Sequence, residues 1–296
     1  MILVAGATGL VGGEVCRLLA SHGMPFRALV RESSNPTKVE QLKDLGAKLV
    51  KGDLCDAAGL KDACQGANAV ICTVSSMPFC YKPGVNDIQT VDSDGVSRLI
   101  DAARAAGVKH FVYTSFSGHM DLPFPLRDAK RRVEQHLKDS GLAYTILRPS
   151  YFMEVWLSPA VGFDAANAKA TVYGAGDQPI AWIALKDVAR FAVESLTNPA
   201  ARNQVFELGG PENVSPHQVI RLYEAATGKS FDVTHVPPEA LQAQYSQATD
   251  PMQKSFVGLM ECFAVGDPID MAAAQKIFGF RPMPVKEYVE HAATAA

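Results

Sequence analysis

GATGLVGG, from Gly6 to Gly13, carries Gly6, Gly9 and Gly12 at a GxxGxxG spacing. That spacing is a variant of the dinucleotide fingerprint, and its place between a first strand and a first helix suits it to hold a pyrophosphate. Gly6 permits a tight exit from a strand, Gly9 lets the backbone approach the phosphates, and Gly12 lets a helix pack closely on the strand. The first-turn amides of that helix then face the negative charge. Gly6, Thr8, Gly9, Leu10, Val11 and Gly12 are therefore expected to bind a dinucleotide. Arg31, in ALVRESSNPTK, stands where an NAD site places a carboxylate for the ribose 2′-hydroxyl. A guanidinium suits a 2′-phosphate, and Ser33, Ser34 and Lys38 can add donors, so NADPH is favoured over NADH. Arg31 can instead cap the sheet edge, and Glu32 beside it points the other way. Asp53, in KGDLCD, is placed either to bind an adenine amino group or to cap the following helix. Leu54 adjoins it. Thr73, Val74 and Ser75 are expected to line the path from pyrophosphate to ribose.

A second set of residues can manage charge and protons. Lys130, in FPLRDAKRRVE, offers an ammonium that can orient a cofactor, offset developing negative charge or release a proton when burial lowers its pKa. The plain alternative is one more lysine on the solvated face of a basic helix. Thr114, Ser115 and Ser117 end the run HFVYTSFS; a serine there is either a catalytic hydroxyl or a turn former. His119 is a candidate acid or a solvated loop histidine. Tyr151, in RPSYF, can supply a phenol, and Pro149, Ser150 and Phe152 accompany it. Tyr113 reads as core. The six cysteines show no CxxC and no zinc-ligand spacing with histidine. They read as buried, reduced and apolar, with no metal.

These residues need a scaffold, and the first half of the chain supplies one. MILVAG, FRALVR, KLVKGD, NAVICTV, HFVYTS and AYTILRPS are short apolar runs. Amphipathic segments separate them, among them LVGGEVCRLLASHG, KVEQLKDLGA, AGLKDACQG, residues 89–107 and AKRRVEQHLKDSG, most closed by glycine. Such alternation indicates an α/β fold, a Rossmann-type doubly wound parallel sheet covered on both faces. Residues 1–150 form the expected NAD(P)-binding domain. Residues 151–296 form a smaller, mostly helical substrate lobe over the sheet's carboxyl edge, with 183–209 returning to the core. Phe79, Tyr81, Phe152, Met153, Trp156, Phe256, Met260 and Phe263 can wall a pocket for a small apolar or aromatic substrate, or, for the late helix, simply form lobe core.

The chain has 296 residues, is 48% hydrophobic and carries a formal net charge of −3. No long basic stripe suggests a nucleic-acid partner, and no apolar run is long enough to span a membrane. The first strand begins at Met1, leaving no room for a leader, so a cytoplasmic monomer or homodimer is expected.

GATGLVGG, LVR, KGDL, VDSDGVSRLIDAARAAGVKHFVYTS, LAYTILRPSYFME and WIALKDVARF together resemble the NmrA-like atypical short-chain dehydrogenases/reductases. The resemblance is close over residues 1–210 and in outline beyond. It implies an NADPH-dependent oxidoreductase that passes hydride to a hydrophobic carbonyl, quinone or related acceptor. The same family includes regulators and assembly factors that bind the dinucleotide without turning it over. The superfamily's lysine falls on Lys130. Its tyrosine, four residues earlier, is here Leu126, so the catalytic candidates are Lys130, Ser115 and Tyr151. A nucleotide-sugar epimerase fits the fold but usually needs that tyrosine.

Overall fold

The computed structural model describes residues 1–78 and 80–295. In chain order its elements are β1 (Ile2–Ala5), α1 (Leu10–Ser21), β2 (Phe26–Val30), α2 (Pro36–Asp44), β3 (Lys48–Lys51), α3 (Ala57–Cys64), β4 (Ala69–Cys72), α4 (Asp94–Ala105), β5 (His110–Thr114), α5 (Pro125–Asp139) and β6 (Ala143–Pro149). There follow α6 (Met153–Trp156), β7 (Phe163–Asp164), β8 (Lys169–Tyr173), α7 (Leu185–Ser195), β9 (Gln204–Leu208), α8 (Pro216–Thr227), β10 (Asp232–Val236), α9 (Pro238–Gln247), α10 (Pro251–Val265), α11 (Ala272–Phe278) and α12 (Val285–Ala295). The chain divides into two compact units. The first is Met1–Ser115, Asp128–Leu147 and Val188–Phe206; the second is Phe116–Arg127, Arg148–Asp187 and Glu207–Ala296.

The first unit is built on the seven-stranded sheet, ordered β3-β2-β1-β4-β5-β6-β9. Pairing is parallel from β3 through β6. β1, β4 and β5 are buried at every residue, so they do not alternate, and β1 and β4 read as unbroken apolar runs. The strand order reverses between β1 and β4, so the crevice that receives ligands in such sheets opens beside the Gly6 turn and Thr73.

Local signals explain most boundaries. Pro36 and Pro125 open α2 and α5, where a missing N–H costs nothing. Two boundaries depart from expectation. The helix expected over 89–107 begins as one π-helical turn, Ile88–Ser93, before α4 proper. Asp87 and Thr90 cap that turn reciprocally. The wider turn rotates Asp92 and Ser93 into the interior, both fully buried. The other departure is α5, which starts at Pro125 rather than Ala129, so buried Leu126 lies in its first turn. The basic cluster RDAKRR is likewise no uniform solvated face, for Lys130 is 4% exposed.

The second unit holds the small sheet β10-β8-β7 with α6 and α8 to α12. β10 and α11 carry no clear sequence signal. β10 is mostly exposed and polar, held by parallel pairing to β8, and α11 spans only two turns. Phe263 centres an aromatic cluster, stacked on Trp156 at 5.2 Å and edge-on to Tyr151, Tyr173 and Trp182 at 5.2, 5.9 and 5.6 Å. These rings cover one another, so the late helix contributes Met260 and Phe263 to lobe core. Phe79 lies outside the described residues. Among those residues no helix is long and apolar enough to cross a membrane.

One buried histidine makes stability pH-dependent. His110 Nε2 lies 2.9 Å from Thr145 Oγ1, and Thr145 donates to the Ala201 carbonyl at 2.7 Å. Thr145 therefore accepts from a neutral imidazole. Burial, with the Arg202 charge, pulls His110 down from 6.5 to about 4. The unfolded chain then binds the extra proton between those values, so this stability is complete above pH 6.5 and is lost as pH falls towards 4. Unfolding by urea at about pH 5 should show roughly 2 kcal/mol less stability from this group than at neutral pH. His110→Gln should remove that slope; an unchanged slope would assign it to other groups.

Candidate active site

The glycine turn has no space for side chains where the dinucleotide reading needs none. Gly6 has φ +85°, and a Cβ there would meet Thr73 Oγ1 at 2.7 Å. A Cβ on Gly12 would lie 2.1 Å from the Gly6 carbonyl oxygen and 2.9 Å from Thr73 Oγ1. α1, strand end and glycine turn thus pack backbone to backbone. Gly9 caps α1 without any side-chain bond to its first-turn amides, and that turn holds no acidic residue. Free amides at the positive end of a helix, beside a surface a Cβ would fill, fit a pyrophosphate.

Arg31 stands at the carboxyl end of β2, half-buried, with Nη1 donating to Asn86 Oδ1 at 2.5 Å. Lys38 donates to the Thr8 carbonyl at 2.9 Å, and Ser34 accepts from the Arg31 N–H, while Ser33 is exposed. Asp53 does not cap α3; Asp56 does, accepting from Ala58. Asp53 Oδ1 instead accepts from the Cys55 N–H at 2.9 Å in an Asx turn. Leu54 is buried against α4. The reading of all six cysteines as buried fails at Cys55 and Cys80, which are exposed because they sit in the loops after β3 and β4.

Lys130 lies at the end of β4. Its Nζ donates to the Val74 carbonyl at 3.0 Å, stands 3.5 Å from Asp92 Oδ1 and lies 5.3 Å above the Tyr113 ring. Asp92 is fully buried; Oδ2 accepts from both Ser76 N–H and Ser76 Oγ, at 3.0 and 2.5 Å. Its Oδ1 has no hydrogen-bond partner among the described residues and faces the ammonium. A carboxylate, a carbonyl and an aromatic face thus surround the buried ammonium. Such a group neutralises charge that develops beside it. Burial pushes the Tyr113 phenol well up, and Ser115, also buried, accepts from Arg131 at 3.4 Å. The Thr114 hydroxyl is buried without a partner among the described residues.

In the second unit, Tyr151 does not offer a free phenol. Its hydroxyl donates to the Leu259 carbonyl at 3.0 Å, the ring is 1% exposed, and burial pushes its pKa well up. Packing in the Phe263 cluster is its evident task. Pro149 accepts from the Ser117 N–H, Phe152 bridges to Ile183, and Ser150 holds a buried hydroxyl unpartnered among the described residues. Ser117 donates to Asp267 at 2.7 Å, and the same carboxylate oxygen lies 3.1 Å from His119 Nδ1. Asp267 is fully buried, whereas half of the His119 side chain is open. His119 is exposed, and the buried Asp267 carboxylate holds its ring by Nδ1.

A doubly wound parallel sheet with a glycine turn at its switch point defines a Rossmann-type nucleotide-binding fold. The chain belongs to the NmrA-like family, whose sequence profile matches residues 1–289. It is 33% identical over 271 residues to the NAD(P)H azoreductase of Xenophilus azovorans, covering 90% of this chain and 88% of that protein. It is 32% identical over 237 residues to the photosystem II assembly factor Ycf39 of Trieres chinensis, covering 80% and 72%. The NADPH complex of an Escherichia coli NADPH-dependent quinone oxidoreductase superposes with a TM-score of 0.76 at 27% identity, covering 99% of both chains.

Proposed function

We propose that this chain is an NADPH-dependent reductase that passes hydride to a flat, conjugated acceptor such as a quinone or azo compound. The observation that carries the proposal is the buried Lys130 ammonium at the end of β4, next to Thr73, against which the glycine turn packs. The turn residues Gly6, Thr8, Gly9, Leu10, Val11 and Gly12 would hold the pyrophosphate and Arg31 the 2′-phosphate. Asp53 and Leu54 would border the adenine, and Thr73, Val74, Ser75, Thr114 and Ser115 the ribose side. NADPH supplies the hydride when bound. Lys130 then offsets the negative charge that appears on the acceptor, a role that needs no tyrosine at Leu126. The accompanying proton is drawn from solvent.

The test is NADPH oxidation against a panel of quinones, azo dyes and triphenylmethane dyes. Turnover with at least one class is expected. Lys130→Ala should lower it roughly 100-fold or more. NADPH binding without turnover of any acceptor would favour a second reading, a dinucleotide-sensing assembly protein. Similarity to the assembly factor and the buried leucine at the tyrosine position support that reading. It requires a protein partner captured only in the presence of NADPH.

A further inference from the structure

Arg31 is held by a partner that its own surroundings in the chain do not reveal. Its N–H donates to Ser34 Oγ at 2.9 Å and its carbonyl accepts from Ser34 N–H at 3.1 Å, closing residues 31–34 into a turn. Its guanidinium donates to Asn86 Oδ1, 55 residues away. Asn86 is itself firmly placed. Its N–H and carbonyl pair with Lys82 at 2.8 Å each, and its side-chain amide donates to the Cys80 carbonyl. Next to it, Asp87 accepts from Gly84 at 2.7 Å and caps the π-helical turn. Arginine has only donors, so the oxygen of Asn86 must face it and the nitrogen must face Cys80.

We infer that Asn86 is a specificity-determining residue: it orients the Arg31 fork towards the ribose 2′-phosphate and thereby sets the preference for NADPH over NADH. The inference rests on the NADPH reading above. A neutral amide oxygen fixes the plane of the guanidinium by one of its five N–H groups and leaves the others for phosphate. An aspartate in the same place would form a charge-assisted pair with Arg31 and repel the phosphate as well. A leucine would leave Arg31 charged but unoriented, with its ordering left to the cofactor.

The experiment is titration of NADPH and NADH binding by nicotinamide fluorescence, which needs no acceptor. Asn86→Asp should weaken NADPH roughly 10- to 100-fold and NADH less than about threefold. Asn86→Leu should weaken NADPH several-fold, and combining it with Arg31→Ala should add nothing to the loss from Arg31→Ala alone. Retained NADH binding shows that each variant is folded. If Arg31→Ala abolishes the preference but both Asn86 variants keep it, the role of Asn86 is overturned and the NADPH reading stands. A wild-type protein with equal affinity for both cofactors would overturn both.

Discussion

Lys130→Met is expected to lower the rate of acceptor reduction roughly 100- to 1000-fold, while NADPH affinity changes only several-fold. The same substitution should also destabilise the protein. It leaves Asp92 buried and charged with Ser76 as its remaining partner, and breaking a buried pair from one side costs about 3–5 kcal/mol. The two effects separate in a double variant. Lys130→Met with Asp92→Asn removes both charges and keeps an acceptor for Ser76, so most of the lost stability should return in urea unfolding. Activity should not return, because no cation then faces the developing charge. Near wild-type turnover by the double variant would reduce Lys130 to a structural ion.

Gly12→Val is expected to abolish NADPH binding at concentrations more than about 100-fold above the wild-type dissociation constant. A Cβ at that position lies 2.6 Å from the Gly6 carbonyl carbon as well as against its oxygen, and both are backbone atoms of the turn itself. Nothing there can move aside without moving the first-turn amides of α1. Overpacking of this kind should also cost about 1–3 kcal/mol of stability. Gly13→Ala is the control. Its Cβ would find nothing nearer than Arg17 Nη2 at 3.8 Å, and alanine is the better helix former. It should bind NADPH as wild type does and unfold at a slightly higher temperature. Loss of binding in both variants would point to general disruption of α1 rather than to the closeness of the turn.

Much of the first unit could be read from the chain because its cues are local. A strand buried on both faces can be apolar at every position, as β1 and β4 are, and a glycine at positive φ ends a helix, as at Gly23 and Gly66. The glycine turn is legible for the same reason: its meaning lies in three residues at fixed spacing between a strand and a helix. Where the local cue weakened, the reading failed. β10 is mostly exposed and has little apolar pattern of its own. The π-helical turn at Ile88–Ser93 differs from an α-helix by one residue of register, which composition does not encode. Asp53 and Asp56 lie three positions apart with the same capping chemistry, and only the direction of the chain at α3 chooses between them.

The scaffold and its charged groups are thus legible in the chain alone: the wound sheet, the glycine turn, Arg31 and Lys130. Tertiary structure alone decided what each of those groups meets. Asn86 reaches Arg31 across 55 residues, the Val74 carbonyl reaches Lys130 across 56, and Asp267 reaches His119 across 148. It also took Tyr151 out of the chemistry by handing its hydroxyl to a carbonyl of α10. Periodicity and spacing report on neighbours within a few turns of one element. A single hydrogen bond or ion pair between distant segments leaves no such pattern, and only the folded chain shows it.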